Sequence, residues 1–306
     1  MPSPIPVIID TDPGIDDVVA LALAVRSPEL EIVALSTSYG NATLDRTTRN
    51  AHALLELVDR AHITVRPGSA QPLARALVTA PETHGPSGVG YAAVMPETPT
   101  APNPTVLCDL FAALERPVTL VTLGPLTNLA VALQRDRALV RQAVTRHIGM
   151  FGNIRERGNT NRFADFNAWC DPEAAQVVLQ AGLGTLMVGL DVTRRMSFTA
   201  GEVSAIAASA DPLAAWLGQA LRFYVEFHRS QERLNGCVVN DVLPIGELIA
   251  PGLLTVSERH LTVDLGDGEQ RGRTRDDDAG ATTQVGMSVD TTRMRELLDR
   301  VVGSID

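Results

Sequence analysis

Lysine is absent from this sequence: all 26 basic residues among its 306 are arginines. Schiff-base chemistry and a phosphate-loop lysine are thereby excluded, and a biased genomic composition accounts for the absence better than a function does. Positive charge is scarce overall. Asp and Glu number 36 against those 26, for a formal net charge of −10, which argues against nucleic acid or an anionic membrane as partner and for a cation or a neutral small molecule. Cysteine is nearly missing too. Cys108, Cys170 and Cys237 are odd in number, far apart and never in C-x-x-C spacing, so neither a disulfide framework nor a zinc site is indicated, and a reducing compartment is the simplest inference. The longest apolar run, Val18 to Val25, is far short of the roughly 20 residues that span a bilayer, and the opening MPSPIPVIID has no basic segment followed by a hydrophobic stretch. A soluble cytoplasmic protein is expected. There is no internal repeat, low-complexity tract or interdomain linker, so a single domain over residues 1–306 is expected, long enough to bury a real core.

Short apolar runs alternate with helical patterns. PVII precedes DDVVALALAVRS, EIVALSTS precedes TLDRTTRNAHALLELVDR, and PVTLVTLG precedes PLTNLAVALQRD. Parallel strands need crossover connections, so this alternation predicts the α/β class, with an open, mostly parallel sheet flanked by helices. Further strands are predicted at 145–150 and 184–189. Helices are predicted after Asp171-Pro172, where Asp caps and Pro takes the first helical position, and over 199–210, 211–229, 240–249 and 290–302. The late runs HLTVDL and TTQVGMSV predict a small antiparallel appendage. The Pro/Gly-rich stretch 66–104 reads as irregular, and a loop of that size in a regular α/β chain is usually a working surface.

The first strand runs directly into IIDTDPGIDD, which places Asp10, Asp12, Asp16 and Asp17 within eight positions. In parallel α/β sheets the ligand crevice lies at the carboxyl ends of the strands, where these acids fall. Pro13 and Gly14 tighten the turn and bring Asp12 back toward Asp16 and Asp17 at a helix start. One helix end stabilises about one charge, not four. A bound hard cation resolves the repulsion better than solvation does, and an all-oxygen, carboxylate-rich site suits calcium or magnesium rather than zinc.

Here the sequence resembles the inosine–uridine preferring nucleoside hydrolases. DTDPGIDD matches that family's signature, and SYGN at 38–41, HGPSGVG at 84–90, LGPLTN at 123–128, GN followed by FADFN ending at 167, DPEAA at 171–175 and ND at 240–241 follow in order. The resemblance covers nearly the whole chain. It implies a nucleoside hydrolase-like fold and calcium-dependent hydrolysis of the N-glycosidic bond of free ribonucleosides, in salvage or catabolism, by a homodimer or homotetramer. It also implies Asp12, Asp17, the Leu123 carbonyl and Asp241 as Ca2+ ligands, with Asp12 taking a proton from the attacking water and Asn41 orienting that water. By the same resemblance Asp16 binds the ribose 2′-hydroxyl, Asn167 and Asp241 the 3′-hydroxyl, and Asn159 and Asp165 the 5′-hydroxyl, while Asp10 supports the cluster through hydrogen bonds. The chemistry accords with this set: cleaving a ribosyl C–N bond develops oxocarbenium character, which a negative, tightly held site stabilises.

The chain also departs from its relatives. A histidine that can protonate the departing base in many members is here Asn240, and an amide cannot act as a general acid. The family's glutamate two residues before the ribose-binding asparagine is here Asp165, and Phe151 stands where a glycine is usual. For the departing base, His228 and His84 are the candidates, with Tyr224 or Phe227 stacking beside Asn240. The other four histidines, His52, His62, His147 and His260, read as structural or exposed. Two other functions remain open at this level. One is a degenerate riboside-binding paralogue, motivated by Asn240, Asp165 and Phe151; the other, a divalent-cation phosphatase, also starts D-x-D after a strand.

Overall fold

The computed structural model describes residues 3–95 and 99–303. Its strands are Ile5–Thr11 (β1), Leu30–Thr37 (β2), Val65–Pro67 (β3), Val118–Thr122 (β4), Val144–Gly149 (β5), Leu186–Met187 (β6), Ser197–Thr199 (β7), Gly236–Val238 (β8), Leu254–Val263 (β9), Thr274–Asp276 (β10) and Ala281–Val289 (β11). In the main sheet they are ordered β10-β9-β11-β6-β5-β4-β1-β2-β3. From β3 across to β11 every pairing is parallel. The expected mostly parallel, helix-flanked sheet is therefore present.

Strand β1 shows why the sheet is central. Val7 and Ile9 enter one apolar cluster and Ile8 the other, and all three are fully buried, so alternate side chains fill opposite faces. Burying each such side chain contributes about 1.5–3 kcal/mol. The helix that follows, Ile15–Arg26, is buried through ten of its twelve residues, because it lies between the sheet and the helices Pro212–Glu232, Val242–Ile249 and Thr291–Val302.

The expected small antiparallel appendage is present and is joined to the main sheet. β9 pairs antiparallel with β10 and β11, but β11 also pairs parallel with β6 through Gln284–Leu186 and Val285–Met187. They extend the main sheet at its edge. A two-stranded antiparallel sheet, β7 with β8, stands apart. Several predicted ends shift. The predicted helix 240–249 starts at Val242, with Asn240 and Asp241 in the turn before it, and the predicted helix 211–229 runs on to Glu232, where Arg233 turns left-handed.

The chain leaves β1 toward β2 on one side and has β4 as its other neighbour, so the strand order reverses there. Such a switch point opens a crevice at the strands' carboxyl ends. The stretch 66–104 crosses this end of the sheet and is fastened to it. Ser69 N donates to Asn128 Oδ1 (2.8 Å), Leu73 N to Asp171 Oδ2 (2.9 Å), and Ala80 N to the Asn41 carbonyl (3.2 Å). It contains one short helix, Pro81–His84; its residues 96–98 lie outside the described set.

Candidate active site

The acid-rich turn is folded by its own carboxylates. Asp17 Oδ1 accepts from Thr11 Oγ1 (2.5 Å) and the Asp12 N–H (3.3 Å), and Oδ2 accepts from the Gly14 N–H (3.0 Å) and Asn41 Nδ2 (2.8 Å). Asp17 thus caps the helix Ile15–Arg26 from its third position. Gly14 is required by crowding: a Cβ there would stand 2.5 Å from Asn41 Nδ2 and 2.6 Å from His84 Nδ1. Asp12 Oδ2 accepts from the Asn41 N–H (2.7 Å). Asp10 Oδ1 accepts from Ser36 Oγ (2.5 Å) and Asn128 Nδ2 (2.8 Å). Asp16 Oδ2 accepts from Asn240 Nδ2 (3.0 Å) and Tyr224 OH (3.4 Å).

Burial is the first cause of raised pKa values throughout this cluster. It pushes Asp10 up to about 6. Asp12 and Asp241 are held well above the usual carboxylate range by burial and by the charges of neighbouring aspartates, and Asp16 and Asp17 are raised as well. One oxygen each from Asp16, Asp17 and Asp241 lies within 4.8 Å of the others. Asp12 Oδ1 and Asp10 Oδ2 are buried without any hydrogen-bond partner. Buried carboxylates with unsatisfied oxygens need positive charge, and the donors are all hard oxygens, so a divalent hard cation fits this site. The carboxylates closest together are Asp16, Asp17 and Asp241; Asp12 sits beside them with its free oxygen.

Beyond the acids lies a cavity of about 720 Å³. Asp16, Asn41, Leu123, Asn167 and Asp241 line it, and Asn41 bonds Asp12 and Asp17. Asn167 Nδ2 donates to the Leu123 carbonyl (2.6 Å) and the Met150 carbonyl (2.9 Å), which ties the loop after β4 to the loop after β5. Asn159 and Asp165 line one wall. Both are committed locally: Asn159 Oδ1 accepts from Phe166 N (2.8 Å), and Asp165 Oδ1 accepts from Gly152 N and Ala168 N (both 2.9 Å) as the N-cap of the helix Phe166–Cys170. Asp165 Oδ2 is buried without a partner, and burial pushes this carboxyl up to about 6. Phe151 is fully buried in the core and does not line the cavity.

Tyr224, Phe227 and His228 also line the cavity, from the helix Pro212–Glu232, with His84 beside Tyr224. Their spacing of three and four residues puts them on one helix face. Tyr224 and Phe227 stack at 6.4 Å, and the rings of Tyr224 and His228 meet edge-on at 4.5 Å. The two histidines both commit Nδ1, one as acceptor and the other as donor. His84 Nδ1 accepts from the Ile15 N–H (3.0 Å), so its proton is on Nε2; burial pushes it down to about 4. His228 Nδ1 lies 2.9 Å from the Tyr224 carbonyl and must donate to it, which leaves Nε2 to take or give a proton. Burial also lowers His228, against the opposing pull of that hydrogen bond and of Glu232 and Asp16. Asn240, in the position of the family's histidine, is fixed between Thr193 Oγ1 (2.9 Å) and Asp16. Of the other histidines, His147 is buried between Thr122 and Thr185, and His52, His62 and His260 are exposed.

The sequence profile of the inosine–uridine preferring nucleoside hydrolases matches residues 7–296. The chain belongs to that family. The pyrimidine-specific ribonucleoside hydrolase RihA of Salmonella schwarzengrund is 37% identical over 265 residues, covering 85% of this chain and 84% of that protein. Among solved structures, the plant nucleoside hydrolase PpNRh1 superposes with a TM-score of 0.91 at 31% identity, covering 98% of this chain and 100% of the other. The purine-preferring ribonucleoside hydrolase from Gardnerella vaginalis gives 0.87 at 27%, with 97% and 98% covered. This nucleoside hydrolase is thus a glycosidase built on a mostly parallel sheet, with an aspartate-rich site able to hold a metal. Among the described residues no helix is long and apolar enough to cross a membrane.

Sequence reasoning missed several supporting groups. Asn128 orients Asp10 and anchors Ser69 at once; its only signal was its place at the end of LGPLTN. His84 caps a helix 69 residues away, which no local pattern announces. Arg194 and Glu232, paired at 2.9 Å on the cavity wall, carried no motif.

Proposed function

We propose that this protein hydrolyses the N-glycosidic bond of free ribonucleosides with Ca2+ as its cofactor, acting in the cytoplasm as a single-domain homo-oligomer. The observation that carries the reading is the buried, unpartnered Asp12 Oδ1 in a cluster of five buried aspartates, two of which, Asp16 and Asp241, line a cavity large enough for a nucleoside. Asp12, Asp17, the Leu123 carbonyl and Asp241 would hold the ion, which supplies positive charge to the cluster and acidifies the attacking water.

The chain's own residues account for the rest. Asp12, held by the Asn41 N–H, takes the water's proton at its free oxygen, and the Asn41 side chain orients that water. Asp16 accepts the 2′-hydroxyl, Asn167 and Asp241 meet the 3′-hydroxyl, and Asn159 and Asp165 face the 5′ end. The fixed negative charge beneath the ring stabilises oxocarbenium character as the C1′–N bond breaks. The leaving base takes its proton from His228 Nε2, in the place of the acid that Asn240 lacks, while Tyr224 and Phe227 flank it.

RihA relatives are named pyrimidine-specific, so uridine and cytidine are the first substrates to assay. The deciding experiment is a nucleoside panel with calcium and with chelator, including 2′-deoxynucleosides. Hydrolysis that disappears with chelator and falls by two or more orders of magnitude on deoxynucleosides supports the reading; equal rates on ribo- and deoxynucleosides refute it. Tight nucleoside binding with no turnover across the panel would instead favour a non-catalytic riboside binder.

A further inference from the structure

A second cavity, of about 580 Å³, is walled by the loop that joins β5 to the helix Phe166–Cys170 and by the residue before β10. Arg155, Arg157, Arg162 and Arg273 line it, and its one acid is Glu156. Such a gathering of positive charge stands out in a chain of net charge −10. Close like charges repel unless a counterion lies among them.

The chain supplies no such counterion. Among the described residues none of the four arginines forms an ion pair, because the acids beside them are spent elsewhere. Asp191 accepts the loop N–H groups of Ile154 (2.8 Å), Arg155 (2.8 Å) and Glu156 (3.2 Å). Glu232, which feels the charge of Arg157, holds both Nη groups of Arg194 (2.9 and 3.1 Å). Glu156 turns one oxygen to the Arg157 N–H (3.0 Å). The guanidinium of Arg162 lies 4.8 Å from the centre of the Phe163 ring and that of Arg273 5.9 Å from it. A guanidinium held over a ring face keeps its in-plane N–H groups for an acceptor. Arg273 gives one of them to Gln270 Oε1 (2.8 Å), and the side chains of Arg155, Arg157 and Arg162 give none within the described residues.

The frame that carries these side chains is closed on itself. Asn153 N donates to Thr274 Oγ1 (2.8 Å) and that hydroxyl donates to the Asn153 carbonyl (2.6 Å), which clamps the loop to β10 and brings Arg273 to it. Asn153 Nδ2 donates to the Glu156 and Phe163 carbonyls (2.8 and 3.0 Å), and Asn161 Oδ1 accepts from the Phe163 and Ala164 N–H groups (2.8 and 2.9 Å). Donors on such a frame lose little freedom when a ligand arrives. We infer that this cavity is an oxyanion site for a phosphate group, free or on a small ester, separate from the catalytic cavity. Planar guanidinium forks match phosphate oxygens two at a time, and a doubly charged tetrahedral ion offsets the cluster better than chloride does. A long polyanion would meet the repulsion of the whole chain. The site shares Glu156 and Arg157 with the catalytic cavity, but the inference holds independently of the hydrolase reading.

The test is calorimetric titration of the purified protein with inorganic phosphate at low ionic strength. One saturable phosphate per chain is expected. Arg162→Ala and Arg273→Ala should each weaken it by about 10-fold or more, as the loss of a charge-assisted hydrogen bond does. Arg60→Ala makes the same charge change at an exposed arginine away from the cavity and should leave the affinity unchanged. Both cavity variants should keep the parent's Tm without phosphate, which separates loss of the ion from loss of the fold. Glycerol phosphate, an ester with no ribose, identifies the source: an affinity equal to that of inorganic phosphate marks a site for the free ion, and a gain of about 10-fold or more marks one for the ester. No saturable binding by the parent, an affinity that Arg162→Ala and Arg273→Ala leave intact, or an equal weakening in Arg60→Ala would overturn the inference. A parent protein inactive on nucleosides would refute the hydrolase reading and leave these binding results standing.

Discussion

His228 and His84 face the same cavity with Nδ1 committed in both, but His228 donates from it and His84 accepts at it, and that decides what each can do with a proton. His228 donates from Nδ1 to a carbonyl in both of its charge states, so protonation at Nε2 breaks nothing. Protonating His84 would put a hydrogen on the nitrogen that already receives the Ile15 N–H. We therefore expect His228→Ala to lower kcat for uridine and inosine by about 10²–10⁴-fold, with a much smaller loss on p-nitrophenyl riboside, whose leaving group departs as an anion. His84→Ala should instead cost about 1–2 kcal/mol of stability through its lost helix cap, read by urea denaturation, and slow all substrates by similar factors. Parent-like rates on both nucleosides in both variants would remove the histidines from the reaction. The ribose-facing acids were legible because DTDPGIDD is contiguous. The base wall was legible only as candidate residues, since nothing in FYVEFHRSQ says which ring nitrogen a carbonyl will hold.

At the scale of elements, alternation of apolar runs with helical patterns gave the parallel sheet, because each run's burial on two faces leaves a local trace. The edge of the sheet left no such trace. β6 is two residues long and β11 joins it from nearly a hundred residues away, so the continuity of the antiparallel strands with the sheet depends on pairing that sequence does not encode locally. The stretch 66–104 was read as irregular, and its attachments are likewise long-range. Asp171 is the clearest case. The Asp-Pro pair predicted a cap, and its Oδ1 does accept from Ala174 N (3.0 Å); yet its Oδ2 also receives Leu73 N and Thr127 Oγ1 (2.9 and 2.7 Å). Asp171→Ala would remove the cap, leave the half-buried Leu73 N–H without its acceptor and leave Thr127 Oγ1 with the Tyr39 hydroxyl alone. We expect a loss of about 2–4 kcal/mol, seen as a lower urea midpoint at unchanged m-value, together with a raised KM, because the loosened stretch carries His84. A change under about 0.5 kcal/mol would mean that the stretch is anchored by other contacts.

For the whole molecule, the net charge of −10 and the buried acids make stability depend on cation and pH together. Every aspartate of the cluster has a folded pKa above its unfolded value. The metal-free fold therefore binds more protons than the unfolded chain between about pH 4 and those raised values, and it loses stability as pH rises through them. His84 and His147, pushed down to about 4 and about 3 by burial, act in the opposite direction: the unfolded chain binds their protons first, so their contribution rises with pH and is complete above about 6.5. Comparing two pH values above the histidine window, about 7.5 and about 9, thus leaves the histidines out. Calcium binds the deprotonated cluster, and at a hundred times its dissociation constant it should stabilise the fold by about 2.7 kcal/mol. At fixed calcium, that gain should be larger at the higher pH, while the chelated protein melts lower there. A calcium-induced rise in Tm that is equal at both pH values, or larger at the lower one, would mean that the buried aspartates are not where the ion binds.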